Sequence, residues 1–164
     1  MKLVACLVGV ASVLVVAGCS SSPAADEAAA PGTLAYDRGV FHDLLQDHDK
    51  IRRTYTEVEG GVEARTESDD PRIAGLLKDH VMAMKGRIES GRRLRQWDPL
   101  YVAVFDHAGK IRLTVTATEK GVVVRETSED PAVAALIRAH AGVVSGFAAR
   151  GFDESAEAHA VPGK

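Results

Sequence analysis

The stretch GVEARTESDDPRIAGLLKDHVMAMKG (residues 61–86) returns 60 residues later, without a gap, as GVVVRETSEDPAVAALIRAHAGVVSG (residues 121–146). Lys50-Ile51-Arg52 returns in step as Lys110-Ile111-Arg112. Between residues 50–86 and 110–146, 16 of 37 aligned positions are identical, His80 and His140 among them. Repetition at a fixed interval lets the architecture be read from one unit and then doubled.

Each unit reads as four elements. Asp70-Pro71 and Asp130-Pro131 set a capping carboxylate before a proline at the first helical position, and Asp69 and Glu129 suit the positive end of the helix dipole. The residues that follow keep spacings of three and four: Ile73, Leu76, Leu77, His80, Met84 and Ile88 in one copy, Val133, Leu136, Ile137, His140, Val144 and Phe147 in the other. This predicts a long helix with one buried stripe in each copy.

Upstream, Ile111, Leu113, Val115 and Ala117 alternate with Arg112, Thr114 and Thr116, the period of a half-buried strand. Glu119-Lys120-Gly121 turns the chain and Val122-Val123-Val124 returns it as a hairpin. Residues 51–58 and 62–66 do the same around Glu59-Gly60-Gly61, with Arg53 standing where the second copy has Leu113. A short helix opens each unit, carried by Val40, Phe41, Leu44 and Leu45 or by Leu100, Tyr101, Val104 and Phe105. Asp98-Pro99 starts the second of these and Gly109 is placed to end it.

The expected fold class is therefore α+β. Two tandem αββα repeats form one pseudo-two-fold unit, its hairpins joined into a four-stranded antiparallel sheet with the helices on one face. The first residues read as an address instead. Lys2 precedes an apolar run from Leu3 to Val16, too short to span a bilayer, which ends in Val16-Ala17-Gly18-Cys19.

That ending resembles the lipobox of bacterial lipoproteins. The resemblance implies cleavage before Cys19 and acylation of that cysteine, with a membrane as partner through the lipid. Residues 1–18 are then a signal peptide, and 19–33 the lipidated cysteine with a flexible Ser/Ala/Pro tether. Residues 34–152 form a single duplicated domain (34–92 and 93–152), and 153–164 a polar tail. Ser20 follows the cysteine where an inner-membrane retention signal carries Asp, so an organism with two membranes would hold the protein at the outer one, facing the periplasm.

Composition excludes several chemistries. The two cysteines, Cys6 and Cys19, belong to the signal and the anchor, which removes disulfides, thiolate nucleophiles, Fe–S clusters and cysteine zinc sites from the mature domain. A formal net charge of −3 leaves no basic excess for nucleic acid. Arg92, Arg93 and Arg95 read as a solvated connector, and Trp97 as a staple beside it. There is no Gly-x-Ser-x-Gly elbow, His-Glu-x-x-His pair or phosphate-cradling glycine loop, so a non-enzymatic protein is expected.

Of the six histidines, His80 and His140 carry the sharpest signal, because an imidazole on an apolar stripe needs a hydrogen-bond partner or a ligand. Paired across the repeat, with the thioether of Met84 one turn beyond His80, they suit copper(I), or the axial ligation of a non-covalent haem. His48 and His107 end the first helices and read as caps. The competing reading is a structural or interaction lipoprotein. It presents a face to an envelope protein partner, binds no ligand and packs its histidines.

Overall fold

The structure, a computed structural model, describes residues 30–163. The signal 1–18, Cys19 and most of the 19–33 tether lie outside the described residues. The elements run α1 (Leu34–Gln46), β1 (Arg52–Val58), β2 (Gly61–Glu67), α2 (Pro71–Ser90), α3 (Pro99–Asp106), β3 (Arg112–Ala117), β4 (Gly121–Thr127), α4 (Pro131–Arg150) and α5 (Phe152–Ser155). The fold is α+β, and a hairpin followed by a 20-residue helix occurs twice.

The helix starts follow from local chemistry. The Asp70 carboxylate accepts from the backbone N–H of Arg72 and Ile73, Asp98 from Leu100, and Asp130 from Ala132. Each satisfies a donor that the first helical turn leaves free. α2 stops at Gly91, whose φ of +68° is costly for any residue with a Cβ. α1 and α3 both lead into a 3-10 turn, His48–Lys50 and Ala108–Lys110. Gly109 therefore lies inside that turn, and His107 rather than Gly109 caps α3.

The sheet order is β1-β2-β4-β3, antiparallel throughout. In the central pair Ala64 faces Val124, Gly61 faces Thr127 and Glu67 faces Gly121. Val62, Ala64, Thr66, Val122 and Val124 are buried on the inner face, while Glu63, Arg65 and Arg125 are exposed on the outer one. The outer arginines are neutralised locally, Arg65 by Glu67 and Arg125 by Glu63.

The long helices exchange hairpins. α2 lies chiefly over β4 and β3, and α4 chiefly over β2 and β1. Val62 of β2 packs with Val133, Ile137 and Ala141 of α4. Arg138 of α4 pairs with Glu57 of β1 at 2.8 Å, and the Lys78 ammonium of α2 donates to the Glu119 carbonyl between β3 and β4 at 3.1 Å. α1 covers α2 through Val40, Leu44, Ile73 and Leu77, and α3 covers α4 through Leu100, Val104, Leu136 and Val143. Each fully buried apolar side chain contributes roughly 1.5–3 kcal/mol. One repeat alone would forfeit most of the cover over its own strands.

Two stretches depart from expectation. Residues 153–163, read as a polar tail, are tied to the body: the Leu100 N–H donates to the His159 carbonyl, and Val161 joins the α3–α4 cluster. Arg95 is not part of a solvated connector. Its guanidinium lies 4.4, 5.0 and 5.4 Å from the ring centroids of Trp97, Tyr101 and Phe147, and donates to the carbonyls of Ser155 and Glu157 and to buried Asp98. Trp97 is 55% exposed and covers this cation within the connector. Arg92 and Arg93 are exposed, as a connector requires.

Gly61 and Gly121 hold the centre of the sheet together. A Cβ on Gly61 would overlap the carbonyl oxygen of Glu126, and one on Gly121 the carbonyl oxygen of Thr66. Gly121→Val is expected to cost about 2–4 kcal/mol in urea unfolding, because backbone has to move on both strands. Gly142→Ala, on an exposed face of α4 with open space around it, should stabilise by about 0.5–1 kcal/mol. Equal effects of the two would contradict the packing described.

Candidate functional site

Both repeated histidines meet an aromatic ring from the first helix of their own repeat. His80 stacks on Phe41, with centroids 5.5 Å apart and planes at 17°. His140 meets Tyr101 edge-on at 5.4 Å and 79°. Phe41 and Tyr101 are themselves 60 residues apart, so the environment recurs along with the histidine.

The polar surroundings do not recur. His140 Nδ1 lies 3.6 Å from Glu126 Oε2 on β4. Burial works to raise the Glu126 pKa, but His140 and Arg53 outweigh it and hold this carboxyl below the usual range. In the first repeat the matching position is Thr66, whose hydroxyl accepts from Arg53 at 2.7 Å. His80 Nδ1 is buried without a hydrogen-bond partner among the described residues. Burial lowers the His80 pKa to about 4, with Asp37 opposing, so the ring is neutral at neutral pH.

A cavity of about 70 Å³ opens beside His80. Its apolar wall comes from α1, α2 and α4, including Phe41, Leu44, Leu77, Val144 and Phe147, and Arg53, Thr66 and His80 are its polar members. Arg53 reaches it from the inner face of β1, and its Nε donates to the Ser145 hydroxyl at 3.3 Å. Burial lowers the Arg53 pKa, while Glu126 supports the charge through space. The Tyr101 phenol nearby is pushed up by burial. Ser145 spends its own proton on the Ala141 carbonyl at 3.1 Å, so it is not set up as a nucleophile by a neighbouring base.

The cavity is small for the haem that the paired histidines led one to expect. Among the described residues, no group of three or more His, Cys, Asp or Glu side chains is placed to hold an ion. His80 and His140 engage different partners, Met84 is half-buried on α2 outside the cavity wall, and Arg53 would repel a second cation. An apolar cavity of about 150 Å³ takes a benzene. A space half that size does not take a porphyrin.

The remaining histidines serve the fold. His107 Nδ1 lies 2.9 Å from the Ala103 carbonyl and caps its own helix. His48 Nδ1 lies instead 3.2 Å from the Ala148 carbonyl, at the end of α4. His42 is exposed, edge-on to Phe152 at 4.9 Å. His159 sits between Asp98 at 2.7 Å and Glu154 at 3.3 Å, a link across 61 residues that no local pattern signals. Arg53 had a signal, its break in the strand alternation, but only the register shows that it points inward.

Compared with protein-family models, curated proteins and solved structures, the chain matches none.

The His80 environment gives a pH signature. The unfolded chain takes up a proton near 6.5, whereas the folded chain resists until about 4. The contribution is complete above 6.5 and is lost as the pH falls toward 4. By pH 4.5 the wild type should have lost about 2–3 kcal/mol more than His80→Phe, measured by urea unfolding at pH 7.5 and 4.5. Parallel losses in the two proteins would place the proton elsewhere.

Proposed function

We propose that this chain is a lipid-anchored protein of the bacterial envelope that binds a small ligand in the cavity beside His80 without transforming it. One observation carries the binding reading: His80 lines a cavity, and its buried Nδ1 has no hydrogen-bond partner among the described residues. Buried polar atoms are nearly always satisfied, and a bound molecule would supply what the chain does not. The lipobox resemblance at Val16-Ala17-Gly18-Cys19 supports acylation of Cys19 and, in a two-membrane organism, a place on the outer membrane facing the periplasm. The local pairing of the outer-face arginines supports a protein that leaves nucleic acid alone.

We also infer that the two halves arose by duplication and are related by an approximate two-fold axis. The pairing of Ala64 with Val124, the close approaches at Gly61 and Gly121, and the matched rings beside His80 and His140 all support this. Copper(I) is the second reading for the ligand. What favours it is a neutral, unpartnered imidazole with a soft thioether, Met84, one turn further along α2.

Expressed in a bacterium fed a clickable palmitate analogue, the chain should carry the label and fractionate with membranes, and Cys19→Ala should do neither. A labelled Cys19→Ala variant would reject this anchor. Copper(I) titration of the full chain against a chromophoric chelator should show no one-to-one complex. A complex that His80→Ala abolishes would put the metal reading first.

A further inference from the structure

Resting on the binding reading above, we propose that the cavity beside His80 takes a short monocarboxylate, formate or acetate in size, with Arg53 as its charge partner. Arg87 is buried against the Asp37 carboxylate, and Arg95 contacts the carboxylate of buried Asp98. Arg53 is treated differently. Its described hydrogen bonds go to two neutral hydroxyls, Ser145 and Thr66, and Glu126 acts on it only through space while lying against His140. A cation drawn out of water without a contacting counter-charge is costly, and an anion beside it relieves that cost.

The second repeat fills the same station with an apolar side chain. Leu113 stands at the equivalent position and faces Glu126 across the sheet, as Arg53 faces Thr66. The first repeat therefore places a guanidinium where a leucine serves, and places it on the wall of a cavity. Planar carboxylates match the end of a guanidinium with two parallel hydrogen bonds. Neutral His80 keeps one N–H to donate, from whichever ring nitrogen carries it.

Volume sets the size. About 70 Å³ is roughly half of what accommodates benzene, so three or four heavy atoms fit. Formate and acetate have three and four. The apolar wall of Phe41, Leu77 and Phe147 suits a hydrogen or methyl opposite the oxygens. Sulfate and phosphate are larger and carry a second charge that one guanidinium does not meet.

The test uses the full chain in non-ionic detergent at pH 7 and constant ionic strength, titrated calorimetrically with formate, acetate and, for comparison, sulfate. Formate or acetate should bind saturably at one per chain, and sulfate should not. Arg53→Leu, the residue the second repeat itself uses, should weaken binding about 30-fold, and Arg53→Lys less, since it keeps the charge and loses the planar fork. His80→Phe should weaken it several-fold, with circular dichroism confirming that each variant is folded. Absence of saturable formate and acetate binding, an equal response to sulfate, or an Arg53→Leu variant that binds like wild type would each overturn the assignment. Copper(I) bound through His80 with no carboxylate bound would sink the anion and leave the binding reading standing. Neither bound would end both.

Discussion

Glycine at 61 and at 121 lets β2 and β4 approach along their whole length, and that central pairing sets the position of every other element. With Ala64 opposite Val124, the two hairpins meet edge to edge and present Val62, Ala64, Val122 and Val124 on one surface. A slip of one residue would turn this surface outward. The helices then have one apolar field to cover, and each takes the half belonging to the other repeat. This exchange makes the two repeats interdependent. Stability is shared between them, so the domain should unfold as one cooperative unit.

The halves agree in their apolar framework and differ in their buried charges. The first repeat buries Asp37 with Arg87, and the second has Trp97 and Phe147 at those positions, with the Arg95 guanidinium over both rings. Arg53 and Thr66 in one half answer to Leu113 and Glu126 in the other. Buried ionic contacts of this kind offset their own desolvation rather than adding much stability, and they are damaging to break singly. Their value lies in where they hold groups. Asp98, with Arg95 and His159 gathered on it, pins the C-terminal residues over α3. Arg53 is the member of this set without a contacting carboxylate, and the cavity opens beside it.

Much of the framework was legible in the chain because it rests on short-range chemistry. Asp-Pro pairs announce helix starts by supplying an acceptor to orphan N–H groups, and alternation along 111–117 announces a strand with two unlike faces. Contacts between distant residues were not legible. Arg95 looked like one of three basic residues in a connector, and nothing nearby in sequence shows that Ser155 and Glu157 return to meet it. His80 and His140 looked equivalent because they occupy equivalent stations on their helices. Their difference comes from the strands beneath them, where Glu126 meets one ring and Thr66, engaged by Arg53, leaves the other unpartnered.

Element types, their order, the repeat and the stripe on which each histidine lies follow from residue spacing and capping. Which strand faces which helix, and so which buried polar groups find partners, is settled by long-range packing. That depends on register and on how the helices lie over the hairpins, which bring together residues 13 to 100 positions apart. The contrast between a paired His140 and an open His80 beside Arg53 is of this second kind. It exists because a nearly repeated chain folds against itself with a few unlike residues brought face to face.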